Sequence, residues 1–324
     1  MEMVQTIAWQ VLTMLVLAMV GCLMFRAGKI TQEGSKALGN ILIYLSLPCV
    51  IINSFLVERT PEKLCGFLIS AALAAVLLGL SILIARLILG RHAIDNFAGS
   101  FSNPGFFGIP LIVVSLGEDG VFYIAAFVAF LNLGQWTYGV SLLQGSDENG
   151  LLRKKPKRAA SPIHQIAALA KRMIQAPFMI AILVGLFFFL TGIPMPDIPA
   201  RCIGYVAGLN TPIAMFTIGI YMARVDIGKM LRKPRLYLVA AVRMLIIPAA
   251  ALAVLLLLPG ARNDLKMALL IAAACPVGSN VAVYAQLHNK DYPYAVETVI
   301  ISTLFSIVTM PVIVGIANVL LQYS

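Results

Sequence analysis

Charge is scarce in this chain. Of its 324 residues only 12% are charged, 14 are acidic and three are histidine. An ordinary soluble domain carries about 25% charged residues, so a solvated surface of normal composition is excluded. Catalysis is poorly provided for as well. No His-Glu-x-x-His occurs, no two carboxylates pair within an apolar block, and His92, His164 and His288 are scattered over separate loops. The sequence therefore reads as no enzyme, with no cofactor. The five cysteines are odd in number and form no Cys-x-x-Cys pair, which argues against a disulfide framework. Cys22, Cys49, Cys65, Cys202 and Cys275 read as small buried hydrophobes. The opening MEMVQ has no basic stretch before its apolar run and no small-residue cleavage site after it, so it is not a removable signal and the first apolar block should stay in the mature chain.

Apolar sequence fills the chain instead. Hydrophobic residues make up 60%, and they recur in blocks of about twenty, the length that crosses a bilayer's hydrocarbon. Ten such blocks lie near 4–25, 37–56, 64–85, 96–116, 120–144, 176–193, 203–223, 236–258, 265–286 and 293–321. The fold class expected is an all-α integral membrane protein with ten transmembrane helices. A net charge of +10 would suit nucleic acid in a soluble protein, but here the spans divide the basic residues, so the partner is the lipid bilayer and no nucleic acid is expected. With ten spans, the loops 26–36, 86–95, 145–175, 224–235 and 287–292 share one side and hold 18 Lys/Arg, against five on the other. Basic loops stay in the cytoplasm. The chain is then a multi-pass plasma (inner) membrane protein with both termini outside and the 145–175 loop cytoplasmic.

That loop separates residues 1–144 from 176–324, five spans each, and its basic cluster from Arg153 to Arg158 suits a topology determinant that also touches anionic headgroups. The halves carry matching punctuation. Pro48 and Pro212 interrupt the second span of each half; Pro104 and Pro276 interrupt the fourth, beside glycine and asparagine. Pro104 precedes Asp119 by 15 residues, and Pro276 precedes Asp291 by 15. An odd repeat unit enters the membrane from opposite sides in its two copies, which makes this a 5+5 inverted repeat with broken, crossing helices 4 and 9.

The breaks are where function is expected. In SNPGFFGIP, Pro104 removes a donor and crowds the preceding turn, while Gly105 and Gly108 allow the chain to leave helical geometry. In ACPVGSN, Pro276 and Gly278 do the same, and Ser279 with Asn280 suit the cap of the half-helix that follows. Unwound backbone at bilayer depth persists only where protein buries it or a wet cavity borders it. Two half-helix amino termini meeting there present partial positive charge, and the side-chain amides of Asn103 and Asn280 can donate to a carboxylate. Arg243 lies eight residues beyond Arg235, about 12 Å along a helix. It should face the interior and pair either with a carbonyl at a break or with a substrate carboxylate. The candidate binding set is Asn103, Pro104, Gly105, Arg243, Pro276, Gly278, Ser279 and Asn280, with no metal site. Phe106, Phe107 and Tyr221 either wall the pocket or simply pack between helices.

The stretches FAGSFSNPGFFGIPLI and AAACPVGSNVAVYAQLHNKDYPYAVETVIISTLFSIVTMPVI resemble the auxin efflux carrier family, in its bacterial malate and malonate permease branch, which shares a fold type with bile, arsenite and riboflavin transporters. The resemblance covers essentially the whole chain. It implies a scaffold domain of spans 1, 2, 6 and 7, a transport domain of spans 3–5 and 8–10, elevator-like alternating access by a secondary transporter, a small organic anion such as malate or malonate at the span 4/9 crossing, and a homodimer. The central loop, about thirty residues, is far shorter than in plant auxin carriers and argues against auxin traffic. Two alternatives remain open at this stage. One is a sodium-coupled bile-acid-type symporter, using oxygens such as Thr211, Ser279 and Thr303; the other is a non-transporting ligand sensor. Coupling to a proton or to sodium is likewise open, with Glu297 either in the path or solvated at the interface.

Overall fold

The computed structural model describes residues 2–146, 151, 177–258 and 260–322. Among them the regular structure is helical. Seven helices are long and apolar enough to cross a membrane. They are α1 (Glu2–Arg26), α2 (Gln32–Phe55), α3 (Pro61–Ile88), α6 (Glu118–Gln144), α8 (Asp197–Ala223), α9 (Pro234–Leu256) and α12 (Tyr292–Leu320). Among the described residues the shorter helices include α4 (Ala93–Ser100), α5 (Pro104–Leu116) and α7 (Pro177–Thr191), α10 (Asn263–Ala274) and α11 (Asn280–Leu287). Two of the ten apolar blocks, 96–116 and 265–286, are thus each divided between two helices. The 145–175 linker and its basic cluster lie outside the described residues, except Gly145, Ser146 and Leu151.

Many large apolar side chains face outward all round the molecule, among them Trp9, Leu23, Leu87, Phe187, Tyr205 and Leu257. Lipid would cover such a surface, and helices in lipid associate through close packing and hydrogen bonds rather than through exclusion of water. Small residues at the contacts allow it. Helix α1 lies so close to α8 that a Cβ on Gly219 would sit 1.8 Å from the Ala18 carbonyl oxygen. Helix α7 presses Gly185 on the Phe55 ring of α2 in the same way. Helix α8 packs on α1 and α2, and α7 on α2; α1 also packs on α12 and α5, and α2 on α6, while α3, α4, α6, α9, α10, α11 and α12 pack about the broken segments.

Prolines inside these helices do not all act alike. A π-turn at Leu42–Ser46 precedes Pro48, another at Pro104–Gly108 precedes Pro110, and a third at Val242–Ile246 precedes Pro248. In each, the wider turn gives the ring room and absorbs the missing N–H, and the residue before the proline keeps helical angles, as Leu47 (φ −60°, ψ −45°) and Ile247 (φ −65°, ψ −47°) show. The expected break at Pro48 is therefore not an interruption, since α2 runs through it; ahead of Pro212, by contrast, α8 is interrupted by a single-residue turn at Leu209. A second correction concerns the thiols. Only Cys275 is buried; Cys22 and Cys49 are half-buried, and Cys65 and Cys202 face outward, which costs little against lipid.

Candidate functional site

Helix α4 stops at Ser100 because Phe101 is extended (φ −119°, ψ 117°). Asn103, ahead of Pro104, has φ −113° and ψ 58°, as expected of a residue forced out of the α region by the following ring. The second interruption has the same cause, with Cys275 extended (φ −55°, ψ 150°) before Pro276. The two interruptions touch. Gly278 N–H donates to the Phe101 carbonyl at 3.0 Å, and Ser102 pairs with Val277 in an isolated antiparallel bridge. Only glycine fits here, since a Cβ on residue 278 would lie 2.8 Å from the Ser102 carbonyl oxygen.

Neighbouring helices satisfy the groups this pairing leaves over. Ser302 of α12 accepts from Val277 N–H at 3.0 Å, and Asn210 of α8 donates through Nδ2 to the Gly105 carbonyl at 3.0 Å. Asn280 donates to Gln135 Oε1 at 2.8 Å; Gln135 begins a π-turn (Gln135–Gly139) within α6. The asparagines and Ser279 do not cap their half-helices through their side chains, contrary to the expectation for α11. Instead Asn103 Nδ2 and Gln135 Nε2, both deeply buried, have no acceptor among the described residues. The first turns of α5 and α11 are partly closed, Phe107 N–H donating to the Asn103 carbonyl and Val281 N–H to the Gly278 carbonyl, but their amino ends still carry partial positive charge. Unpaired donors at such depth are costly, and the two side-chain amides beside these helix ends suit an anion's oxygens.

Arg243 occupies the other side of the crossing. It is 1% exposed and rises from α9 to donate through Nη1 to the Gly99 carbonyl at 3.1 Å and through Nη2 to the Ala273 carbonyl. Those acceptors belong to the last turns of α4 and α10. Of the two partners the sequence allowed for it, break carbonyls are the ones present.

A cavity of about 630 Å³ reaches the breaks at Phe106 and Asn280. It runs between α2 (Ile43, Tyr44, Leu47), α6 (Asn132, Trp136) and α11 (Tyr284) to Gln144, Pro177 and His288 at one end of the helices. Its wall is mostly apolar, and no Lys, Arg, Asp or Glu of the described residues lines it. His288 sits in the turn after α11, where burial, and then Lys290, hold its imidazole below the usual range. Of the candidate binding residues, Asn280 borders this space. Asn103, Pro104, Gly105, Pro276, Gly278 and Ser279 form the paired backbone behind it, and Arg243 lies beneath the carboxyl ends. Phe106 is part of the wall, whereas Phe107 is core packing and Tyr221 is not among the lining residues.

Sequence reasoning missed several polar groups. Gln135 and Asn210 were readable as amides within apolar blocks. Asp95, fully buried, accepts from Tyr294 Oη at 2.7 Å and from Arg235 Nε. Glu297 is not solvated: it accepts from Lys233 Nζ at 2.8 and 2.6 Å and is 6% exposed. These bonds tie together the starts of α4, α9 and α12, and nothing in the spacing of the charges along the chain showed it.

Residues 6–314 match the family model described as "Membrane transport protein". The chain is 24% identical over 287 residues to a protein named "Putative malonate transporter" from Rhizobium meliloti (strain 1021), a match that covers 86% of this chain and 85% of that protein. An "Uncharacterized transporter" of Methanothermobacter thermautotrophicus is 24% identical over 315 residues, covering 93% and 95% of the two chains. A further uncharacterized transporter, from Methanocaldococcus jannaschii, is 22% identical over 318 residues, with 93% and 95% covered.

Proposed function

The chain belongs to the membrane transport protein family, the auxin efflux carriers, and from that premise we propose that it is a secondary transporter of small organic anions, mono- or dicarboxylates of the malate and malonate size. The observation that carries this reading is the contact between the two breaks, Gly278 N–H on the Phe101 carbonyl, beside a cavity bordered by Asn280 and close to unpaired donors on Asn103 and Gln135. The amino ends of α5 and α11 each contribute about half a positive charge. A carboxylate entering along the cavity meets that field and two side-chain amides without having to displace an existing counter-ion.

In this reading α4 with α5 is span 4, α10 with α11 is span 9, and the ten spans form a 5+5 inverted repeat. Helices α1, α2, α7 and α8 act as the scaffold; the rest, with the crossing at their centre, act as the moving transport domain. The cavity lies between elements of the two groups, where an elevator-like displacement would open and close it. The basic bias of the loops assigns the end holding Gln144 and His288 to the cytoplasm, so the conformation faces inward. Glycine contacts such as Gly219 on Ala18 support a rigid scaffold, which a homodimer would complete.

The test is uptake of labelled malonate and malate into vesicles reconstituted with the purified full chain, with counterflow as the control for carrier behaviour. Saturable uptake that unlabelled dicarboxylate competes away is expected. Stabilisation by the same anions with no flux would make the protein a sensor, and neither response would remove organic anions as its ligands.

A further inference from the structure

The Arg243 contacts concern the coupling ion, and this inference rests on the transport reading above only in its flux arm. The last carbonyls of a helix have no intrahelical donor and carry about half a negative charge. At this crossing two such ends, those of α4 and α10, converge on one side chain: Gly99 and Ala273 both accept from the Arg243 guanidinium. Two ends amount to about one negative charge, which one guanidinium cancels. Among the hydrogen bonds of the described residues no carboxylate accepts from Arg243, so its charge is balanced by backbone alone. In carriers built on broken helices, unwound carbonyls and half-helix carboxyl ends are the groups that seat a coupling cation.

We propose that Arg243 is a tethered cation that occupies the carbonyl seat of the crossing, so that anion carriage requires neither sodium nor potassium. A mobile cation would enter and leave with the substrate and couple the two gradients. A guanidinium held on α9 cannot leave, and it neutralises the carboxyl ends permanently. The amino ends of α5 and α11 then keep their positive field for the anion whatever the alkali-cation concentration. The planar fork matters as well as the charge, because one arginine spans two carbonyls from different helices.

Two measurements on the purified full chain test this, at constant ionic strength with choline replacing sodium, potassium or lithium. The wild type should have the same Tm and the same dicarboxylate uptake in all four salts. Arg243→Gln should melt lower in choline and recover in at least one alkali chloride, with uptake becoming dependent on that cation. Arg243→Lys should remain insensitive to the salt. A wild-type protein stabilised by sodium, or dependent on it for flux, overturns the proposal, and so does a folded Arg243→Gln protein indifferent to all three alkali cations. Should Arg243→Gln yield no folded protein, the wild-type salt comparison and Arg243→Lys still decide. A wild type that transports no carboxylate in any salt defeats the transport reading, while the Tm arm still decides the seat.

Discussion

Pro48 and Pro248 sit in unbroken helices, whereas Pro104 and Pro276 stand at gaps, and the contrast locates the working part of the molecule. Proline alone does not open a membrane helix. Ahead of Pro48 and Pro248 the chain inserts a π-turn and keeps the preceding residue helical. Ahead of Pro104 and Pro276 the preceding residues leave the helix, and the freed backbone is claimed by the opposite break, by Ser302 and by Asn210. A gap survives where a partner for its amides and carbonyls is already built. Without one, the helix widens and continues.

Substitutions that should erase this contrast come first. Gly278→Val places side-chain atoms where a Cβ alone would already be 2.8 Å from the Ser102 carbonyl. Overpacking of this kind costs about 1–3 kcal/mol, and here it also parts the two breaks, so uptake should be lost and Tm should fall in a detergent melt. Pro276→Ala removes the restraint that holds Cys275 extended. Uptake should drop about tenfold, the equivalent of roughly 1.4 kcal/mol, with a smaller change in Tm, as read by initial rates in vesicles.

Gln135→Leu sharpens the comparison by leaving both gaps intact and deleting one donor, together with the acceptor of Asn280. The loss of that hydrogen bond should cost about 1 kcal/mol in stability, and the effect should appear mainly as a raised KM for the anion. Pro48→Ala is the smallest change. It restores an N–H in a helix that already runs through, so uptake should persist and Tm should stay level or rise. A loss of uptake comparable to that of Pro276→Ala would erase the distinction between the two kinds of proline.

The all-helical, membrane-spanning character and the positions of both gaps were legible because hydropathy, glycine and proline report local backbone preference, and seven of the apolar blocks are membrane-length helices. Pro104 with Gly105 and Pro276 with Gly278 marked the breaks within a residue or two. What lies across the molecule was not legible. Pro48 and Pro104 both read as breaks, and the glycine beside Pro104 alone did not separate them until the π-turn and the partner were seen. Gln135 became a site candidate only through Asn280, 145 positions away. Arg243 was recognised as interior, but whether it met a carbonyl or a substrate depended on two helix carboxyl ends brought together by the fold. The burial of Asp95 and Glu297 could not be read from their own segments, because it comes from the packing of α9 and α12.

The central claim is that the two breaks lie against each other, and a cross-link reads it directly. In a background lacking the five native cysteines, Ser102→Cys with Val277→Cys should form a disulfide under mild oxidation, since paired antiparallel residues stand about 4.5–5.5 Å apart at Cα, within disulfide range. With a protease site engineered between residues 153 and 158, cleavage should leave the halves joined until reductant is added. Halves that separate without reductant, although both thiols react with maleimide in the unfolded chain, would contradict the account.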